Sequence, residues 1–306
     1  MRRAFTLVEL LVAIGIALVL ATIVVAINFR SSDRDRVQGA ADRIQGWVAM
    51  ARNWALRDRK PVGLRLSHNG NGLVTSLAYI EQLDDWLPGG NPSLQLAGAT
   101  ATLLGGAQDF AGVGFGIPDN PSIPIPPPVT FWPVQVGDFL QVGTGANAQL
   151  SQVISATRTA LTLRSGLSAS GSTHSFRVIR GARPRTGEAP LNLPDNAAID
   201  VNTNGASPWY GATLPTYGAP SNSFDILFTP GGQVLYTSRP IRLWVRDTGL
   251  DQPATYQFAG LNLIVSINPQ TGMVSTAQVD QRQDPSNQQR YADPYAFARN
   301  PNSSGL

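Results

Sequence analysis

The sequence opens with Met1-Arg2-Arg3-Ala4-Phe5-Thr6-Leu7-Val8-Glu9-Leu10-Leu11-Val12-Ala13-Ile14, the stretch from which the architecture follows. Almost every residue from Phe5 to Ile27 is apolar. As a helix this run would measure roughly 35 Å, which exceeds a hydrocarbon core of about 30 Å. Arg2 and Arg3 precede it, so the positive-inside rule predicts a cytoplasmic N-terminus and an exported remainder. We therefore expect a transmembrane helix over residues 5–27.

The carboxylate of Glu9 interrupts this apolar run and is a candidate functional group. A charged side chain in a bilayer is costly, and a buried carboxylate is tolerated beside a cation. Glu9 therefore predicts a helix that packs against copies of itself. A cleaved signal peptide, ending at Val24-Val25-Ala26, is the alternative. The anchor is favoured because the run is longer than a typical signal segment and the helical pattern continues past Ala26.

Beyond the apolar run, residues recur at three- and four-residue steps, which is typical of an amphipathic helix that docks on a globular domain. The apolar positions of this pattern are Val37, Ala40, Ala41, Ile44, Trp47, Val48, Ala51, Trp54 and Ala55. Pro61 ends the pattern. One N-terminal helix over residues 5–60 is the prediction.

The remainder of the chain predicts β-structure, and the fold class is expected to be α+β. Asn69-Gly70 lies between two alternating apolar segments, which is a hairpin signal. Gly and Pro number 30 and 23, a composition that favours short strands and many turns. The long helix should pack on an antiparallel domain formed by residues 61–83 and 181–280. Residues 281–306 are polar and are expected to be a flexible tail.

Residues 84–180 are expected to be an insertion into this domain. The part from 84 to 133 is rich in Gly, Ala and Pro and predicts extended loops, ending in a polyproline-like run over 121–128. Residues 134–180 carry several short alternating segments, which predict a small barrel or curled sheet.

The N-terminus resembles the class III leader of type IV pilins and type II secretion pseudopilins, through Arg3-Ala4 followed by Phe5-Thr6-Leu7-Val8-Glu9. The resemblance implies that residues 1–4 are a leader and that prepilin peptidase cleaves between Ala4 and Phe5. It also implies N-methylation of Phe5 and pairing of Glu9 with the Phe5 ammonium of a neighbouring subunit. Ala4 stands where the family usually has Gly, and it is also small.

Later segments look like the GspH/FimT branch of that family. They are residues 43–65, with Ala51-Arg52-Asn53-Trp54-Ala55 followed by Pro61-Val62 and Leu64, the alternating run from Phe224 through Pro230 to Gly232, and the closing hairpin with Thr271-Gly272. The resemblance implies a minor pseudopilin or minor pilin in the bacterial inner membrane, with its C-terminal domain exported. Its implied partners are other pilin subunits, prepilin peptidase and secreted cargo.

Composition excludes some classes of site. The chain has no Cys, so disulfides and thiolate metal sites are impossible. His68 and His174 lie beside turn residues without a nucleophile-elbow pattern. Three acidic pairs lack the spacing of a calcium loop and are interpreted as turn formers: Asp84-Asp85, Asp119-Asn120 and Asp195-Asn196. We expect no enzyme activity, no metal and no cofactor.

Two alternative functions remain open. The net charge of +3 falls to +1 when Arg2 and Arg3 leave, which gives no support to nucleic-acid binding. A DNA-capturing minor pilin would need the cluster Arg177, Arg180, Arg183 and Arg185 as candidate nucleic-acid contacts. A surface adhesin or carbohydrate-binding module would need an aromatic groove in the insertion, with Phe131, Trp132 and Phe139 as candidates.

Overall fold

The structure is a computed structural model that describes residues 7–114, 116, 128–168, 171–173, 175–201, 222–249, 260–285, 287–291 and 293–299. Within these ranges the chain combines α-helix with antiparallel sheets, which confirms the α+β class. Its elements are α1 (Leu7–Asp58), β1 (Val62–His68), β2 (Leu73–Gln82), β3 (Ser93–Ala97), β4 (Thr100–Gly105), β5 (Phe139–Val142), β6 (Gln149–Ala156), β7 (Ala160–Leu163), β8 (Gly171–Thr173), β9 (Phe176–Ile179), β10 (Ala182–Pro184), β11 (Leu191–Asn192), β12 (Ala197–Asp200), β13 (Ser223–Phe228), β14 (Ile241–Asp247), β15 (Leu263–Ile267), β16 (Val274–Gln278), β17 (Gln283–Asp284), β18 (Asn287–Tyr291) and α2 (Ala296–Arg299).

Helix α1 ends where its sequence stops favouring helix. Arg59 follows the last helical residue with a φ of 53°, the left-handed conformation that commonly terminates helices. Pro61, two residues later, cannot donate a helical hydrogen bond. The chain therefore turns directly from α1 into β1.

The larger sheet has the strand order β13-β1-β2-β12-β14-β15-β16. The predicted hairpin at Asn69 is confirmed as the β1–β2 connection. The Asn69 side-chain oxygen accepts hydrogen bonds from the amides of Asn71 and Leu73, each at 3.0 Å. Such Asx geometry is the reason that Asn favours turns.

Strand β2 is paired along its second edge by three successive short strands. β10 pairs with residues 80–82, β11 with 76–77 and β12 with 73–74. Gln82 and Ala182 are partners in this register. The chain therefore leaves the large sheet after β2 and returns beside the same point, so residues between Gln82 and Ala182 form an excursion from it.

This excursion forms a second sheet with the order β8-β3-β4-β7-β6-β5-β9. Its two terminal strands, β8 and β9, are only two residues apart in the chain. Trp86 and Val178 exchange backbone hydrogen bonds of 2.8 and 2.9 Å, which pairs the free edge of β9. The sheet thus curls around its own core, which includes the fully buried side chains of Leu94, Phe110, Leu140 and Leu161.

The expectation of extended loops over 84–133 was wrong in part, because β3 and β4 form a hairpin there. Leu94 and Leu96 point into the second core together with Ala101 and Leu103. Apolar and polar residues alternate in this part of the sequence, but the Ala and Gly residues around the turn make the alternation hard to recognise. The first alternating segment of the predicted β unit, residues 134–142, forms a strand only from Phe139. Residues 117–127, which include most of the polyproline-like run, lie outside the described residues.

The two faces of the large sheet are covered by different elements. Side chains of α1 cover one face, where Leu243, Val245 and Val265 are buried. Trp244 and Ile264 point to the other face and pack with Val279, Tyr295 and Ala298. The segment predicted as a flexible tail contains β17, β18 and α2. Tyr295, which immediately precedes α2, contacts Trp244 with ring centroids 6.2 Å apart. Residues 300–306 lie outside the described residues.

Candidate assembly helix and its anchor on the sheet

Residues 7–20 of α1 expose large apolar side chains, among those whose side chains the structure describes. Each of the following is at least 52% exposed: Leu7, Leu11, Val12, Ile14, Ile16, Leu18, Val19 and Leu20. Burying side chains of this type from water is favourable by about 1.5–3 kcal/mol each. This segment of the helix is therefore suited to an apolar environment that the globular part does not provide.

The second half of α1 anchors the helix on the sheet. A stripe at helical spacing is completely buried: Val37, Ala40, Ala41, Ile44, Val48, Ala51 and Ala55. Four of these seven residues are alanines, which let the helix approach β1, β14 and β15 closely. The side-chain amide of Gln45 donates to the Thr276 hydroxyl on β16. The anchor thus combines apolar packing with polar contacts at its margin.

Arg52 joins α1 to two β-turns that are distant in sequence. Its Nε–H donates to the carbonyl oxygen of Thr271 at 3.0 Å. Gly272 has a φ of +66°, and a Cβ there would collide with the carbonyl oxygen of Gly232 and lie 2.8 Å from the Arg52 Cδ. Val234 N–H donates to Pro269 oxygen at 2.7 Å and holds the two turns together. Three segments of the GspH-like pattern therefore meet at one joint.

A second joint lies at the C-terminal end of α1. The Asp58 carboxylate accepts from Arg57 at 2.6 Å and from Arg185 at 2.9 Å, and these cations lower the pKa of Asp58 to about 2. Arg185 also lies over the Trp54 ring at 4.5 Å, and Trp54 packs against Tyr79 at 4.6 Å. Burial raises the pKa of Tyr79 to about 12. The segment after β10 is thereby fastened to the helix.

The curled sheet is joined to the large sheet through Asp138. This carboxylate accepts from the amides of Gln135 and Gly181 and from the Arg183 guanidinium, each at 2.8 Å. Burial raises the pKa of Asp138, although Arg183 and the two amides oppose that change. Arg65 on β1 donates to the Ala182 carbonyl oxygen at 2.9 Å from the other side of the joint. The return strand of the excursion is thus held by both sheets.

The four arginines predicted as candidate nucleic-acid contacts all bind other parts of the chain. Arg177 contacts Asp85 at 2.8 Å and Gln141. Arg180 donates to the Asp84 carbonyl oxygen at 2.5 Å. Arg183 and Arg185 take part in the two joints just described. Arg177 lies on β9, Arg183 on β10, and Arg180 and Arg185 in the adjoining connections, and each is engaged in intramolecular contacts.

The predicted processing and assembly residues lie at the limit of the described chain. Ala4 and Phe5 lie outside the described residues. Glu9 is part of α1 by its backbone, and its side chain lies outside the described set. Cleavage at Ala4–Phe5 and pairing through Glu9 stay predictions.

The remaining candidates do not converge. His68 stacks on Phe224 with centroids 5.5 Å apart, and His174 lies outside the described residues, as does Asp119-Asn120. Among the three predicted aromatic residues of the insertion, Phe131 is exposed, Trp132 is buried and Phe139 is half-buried. In the part of the chain that the structure describes, no three His, Asp or Glu side chains are grouped for a metal ion.

Residues 1–25 match the prokaryotic N-terminal methylation motif. This motif indicates a type IV pilin-like or pseudopilin subunit, which is anchored in a membrane, processed by prepilin peptidase and assembled with other pilin subunits. The chain matches none of the curated proteins or solved structures with which it was compared.

Among the described residues, no helix combines the length and the hydropathy needed to cross a bilayer.

The sequence analysis did not predict the pairing of Asp138 with Arg183 or of Asp58 with Arg185. Asp138 lies in the short turn Val136-Gly137-Asp138-Phe139, where a lone carboxylate between apolar residues was the available signal. Asp58 lies near the helix end beside Arg57, where it resembles an ordinary solvated charge. Their importance comes from Arg183 and Arg185, which the fold brings from more than forty residues away.

Proposed function

We propose that the protein is a minor pseudopilin or minor pilin of the GspH/FimT branch, with a structural rather than catalytic role. One observation carries the proposal: α1 has exposed apolar side chains within residues 7–20 and an apolar stripe over residues 37–55 that is buried on the sheet. Such a helix can leave its first half in a bilayer or between helices of a filament while the second half carries the domain. The methylation motif on the same helix supports this interpretation.

The joint around Arg52 supports the GspH/FimT assignment. The sequence resemblance rests on short segments that could occur separately by chance. Arg52, Gly232 and Gly272 nevertheless form one packed unit, and Gly272 has no space for a side chain. Residues that pack together in one structural unit support the family assignment more strongly than the same residues would if they were scattered over the surface.

In the proposed assembly, prepilin peptidase cleaves between Ala4 and Phe5, and the new N-terminus is methylated. The Phe5 ammonium of one subunit then neutralises Glu9 of its neighbour. The ammonium exists at this position only after cleavage, so processing would precede packing. A paired carboxylate is tolerated in an apolar environment, whereas an unpaired one is strongly disfavoured.

The two alternatives have less support. DNA capture through Arg177, Arg180, Arg183 and Arg185 would require these guanidinium groups to exchange intramolecular partners for phosphates. Glycan binding through aromatic stacking would require Trp132 to leave a buried position. We favour an insertion that presents a protein-contacting surface to other pilins or to secreted cargo.

The deciding experiment is mass spectrometry of the N-terminal peptide, from membranes of cells with active or inactivated prepilin peptidase. A peptide beginning at N-methyl-Phe5, and absent without the peptidase, is the expected result. An Ala4→Arg variant, whose cleavage position is bulky and charged, should keep residues 1–4 in both strains. A peptide beginning after Ala26 in both strains would instead identify a secreted protein and contradict the proposal.

A further inference from the structure

A groove of ≈ 710 Å³ lies on the face of the large sheet opposite α1. Arg242, Ser266 and Ser275 line it from three adjacent strands, and Met273, Ala298 and Arg299 line its margins. Thr271, whose carbonyl oxygen accepts from Arg52, also lines the groove, whereas the residues of the Asp58 and Asp138 joints and residues 7–20 of α1 do not. Any role of the groove is therefore separate from the proposed helix packing.

The register of the sheet explains why the groove is open. Arg242 pairs with Ser266, and Ser266 pairs with Ser275, so these three side chains form one row on one face. The next row on this face is Trp244, Ile264 and Ala277. Tyr295 and Ala298 pack against the apolar part of that second row. The C-terminal segment thus covers the apolar row, and the polar row is left beside it as a groove.

Arg242 is held in this groove without an anionic partner from the described residues. Its Nε atom is buried and has no hydrogen-bond acceptor, and its guanidinium lies 5.3 Å from the Tyr295 ring centroid. Burial and the proximity of Arg299 lower the pKa of Arg242. A buried donor without an acceptor is destabilising by about 1–3 kcal/mol. An anion bound at the guanidinium of Arg242 would offset the repulsion from Arg299.

We propose that this groove binds a single carboxylate of a partner protein, with Arg242 as the principal contact. A carboxylate matches the planar donor fork of a guanidinium and accepts two parallel hydrogen bonds. Ser266 and Ser275 offer hydroxyls beside it, and the exposed Met273 and the Ala298 methyl group offer apolar contact to the adjoining peptide.

The local charge favours one carboxylate over a nucleic-acid backbone. Arg299 forms an ion pair with Asp293, so Arg242, Arg299 and Asp293 together carry one net positive charge. A phosphodiester chain gains affinity by neutralising several phosphates with several cations. One net positive charge in a groove with apolar margins suits an isolated acidic side chain or a chain terminus.

Methionine-methyl NMR of the full-length protein in detergent micelles tests the proposal. The chain has three methionines, Met1, Met50 and Met273. Met273 is 68% exposed at the groove. Met50 on α1 accepts a hydrogen bond from the Tyr79 hydroxyl on β2 and serves as the internal control. The probes are N-acetyl-Gly-Gly-Asp-Gly-amide, its Asn counterpart, N-acetyl-triglycine with a free C-terminus, and inorganic phosphate.

We expect the Asp peptide to shift the Met273 signal saturably while Met50 stays unchanged, and the Asn peptide to have no effect. An equal or stronger response to the free C-terminus would identify the chain terminus as the source of the carboxylate. Arg242→Gln should weaken binding by about tenfold or more, because a charge-assisted hydrogen bond is lost. Arg239→Gln removes the same charge from an exposed position outside the groove and should retain wild-type binding.

Several outcomes would overturn the proposal. Equal responses to the Asp and Asn peptides would mean that the groove does not recognise charge. Tighter binding of phosphate would replace the carboxylate by a different anion. Absence of any Met273 shift would also reject it, provided that circular dichroism shows a folded protein. Arg242→Lys keeps the charge without the planar fork, and undiminished binding by that variant would contradict bidentate recognition.

Discussion

The Nε–H of Arg52 donates to the carbonyl oxygen of Thr271 at 3.0 Å and ties α1 to a turn that lies 219 residues further along the chain. The contact matters because α1 is the element that carries the domain in the proposed filament. A force applied to the helix would be transmitted to the sheet through this joint, the buried stripe and the Asp58 joint.

Replacing Arg52 by Ala should lower the free energy of unfolding by about 1–2 kcal/mol, because a hydrogen bond and the packing of its aliphatic stem are both lost. Urea unfolding of the full-length protein in micelles, followed by circular dichroism, measures the change. Arg43→Ala is the matched control, since Arg43 is exposed on the same helix. Equal destabilisation by the two variants would contradict a specific role for Arg52.

Replacing Gly272 by Ala should destabilise the fold by about 2–4 kcal/mol, because the left-handed backbone is strained with a side chain and the Cβ would displace the Arg52 stem and the Gly232 carbonyl. Gly98 has a similar φ of +60° with open space around it. Gly98→Ala should therefore cost only about 1 kcal/mol. Thermal unfolding distinguishes the two, and indistinguishable transitions would argue against the close approach.

The Asp58 carboxyl should titrate far below other aspartates, with a pKa of about 2, because the hydrogen bond from Arg57 and the charge of Arg185 favour its ionised form. A lowered pKa in the folded state means that its contribution to stability is present above the ordinary pKa near 3.8 and is lost as the pH falls towards 2. Carboxyl-carbon NMR measures the titration directly.

Arg57→Gln should raise the pKa of Asp58 towards its ordinary value, whereas Arg59→Gln, which removes the same charge two residues away, should leave it near 2. An unchanged titration in Arg57→Gln would show that Arg57 does not hold the carboxylate.

Removing the buried carboxylate in Asp138→Ala should lower stability by about 3–5 kcal/mol, since Arg183 and two amides lose their acceptor inside the joint. Asp85 pairs with Arg177 at 2.8 Å, but both side chains are well exposed. Asp85→Ala should therefore change stability by at most about 1 kcal/mol. Urea unfolding monitored by tryptophan fluorescence compares the two variants. Similar losses of stability would contradict a specific structural role for Asp138.

Glu9→Ala should leave cleavage at Ala4–Phe5 largely intact and reduce incorporation into filaments, because the neighbour's Phe5 ammonium loses its counter-charge. Quantitative immunoblotting of sheared filaments and of membranes measures both steps. Glu81→Ala, which removes a carboxylate from β2 on the globular part, is the control. Incorporation of Glu9→Ala at the wild-type level would reject the assigned role of Glu9.

Much of the fold was predictable where periodicity is local. The helical stripe from Val37 to Ala55 and the Asn69 turn each require only neighbours within a few residues. The β3–β4 hairpin was missed, because Ala and Gly in its sequence blur the alternation of Leu94, Leu96 and Leu103. The ordered part of the C-terminal segment was missed because its polar composition hides Tyr295, whose packing partner is Trp244.

By itself, the sequence determined the leader-like N-terminus, the division of α1 into an apolar and an amphipathic half, and the α+β class, since each depends on residue type and spacing along a short stretch. Only the tertiary structure decided which charges are paired. Arg183 meets Asp138, Arg185 meets Asp58, and Arg242 is left facing an open groove. The physical reason is that electrostatic partnership depends on distance and burial in space, and the strand register that sets both is formed by residues far apart in the chain.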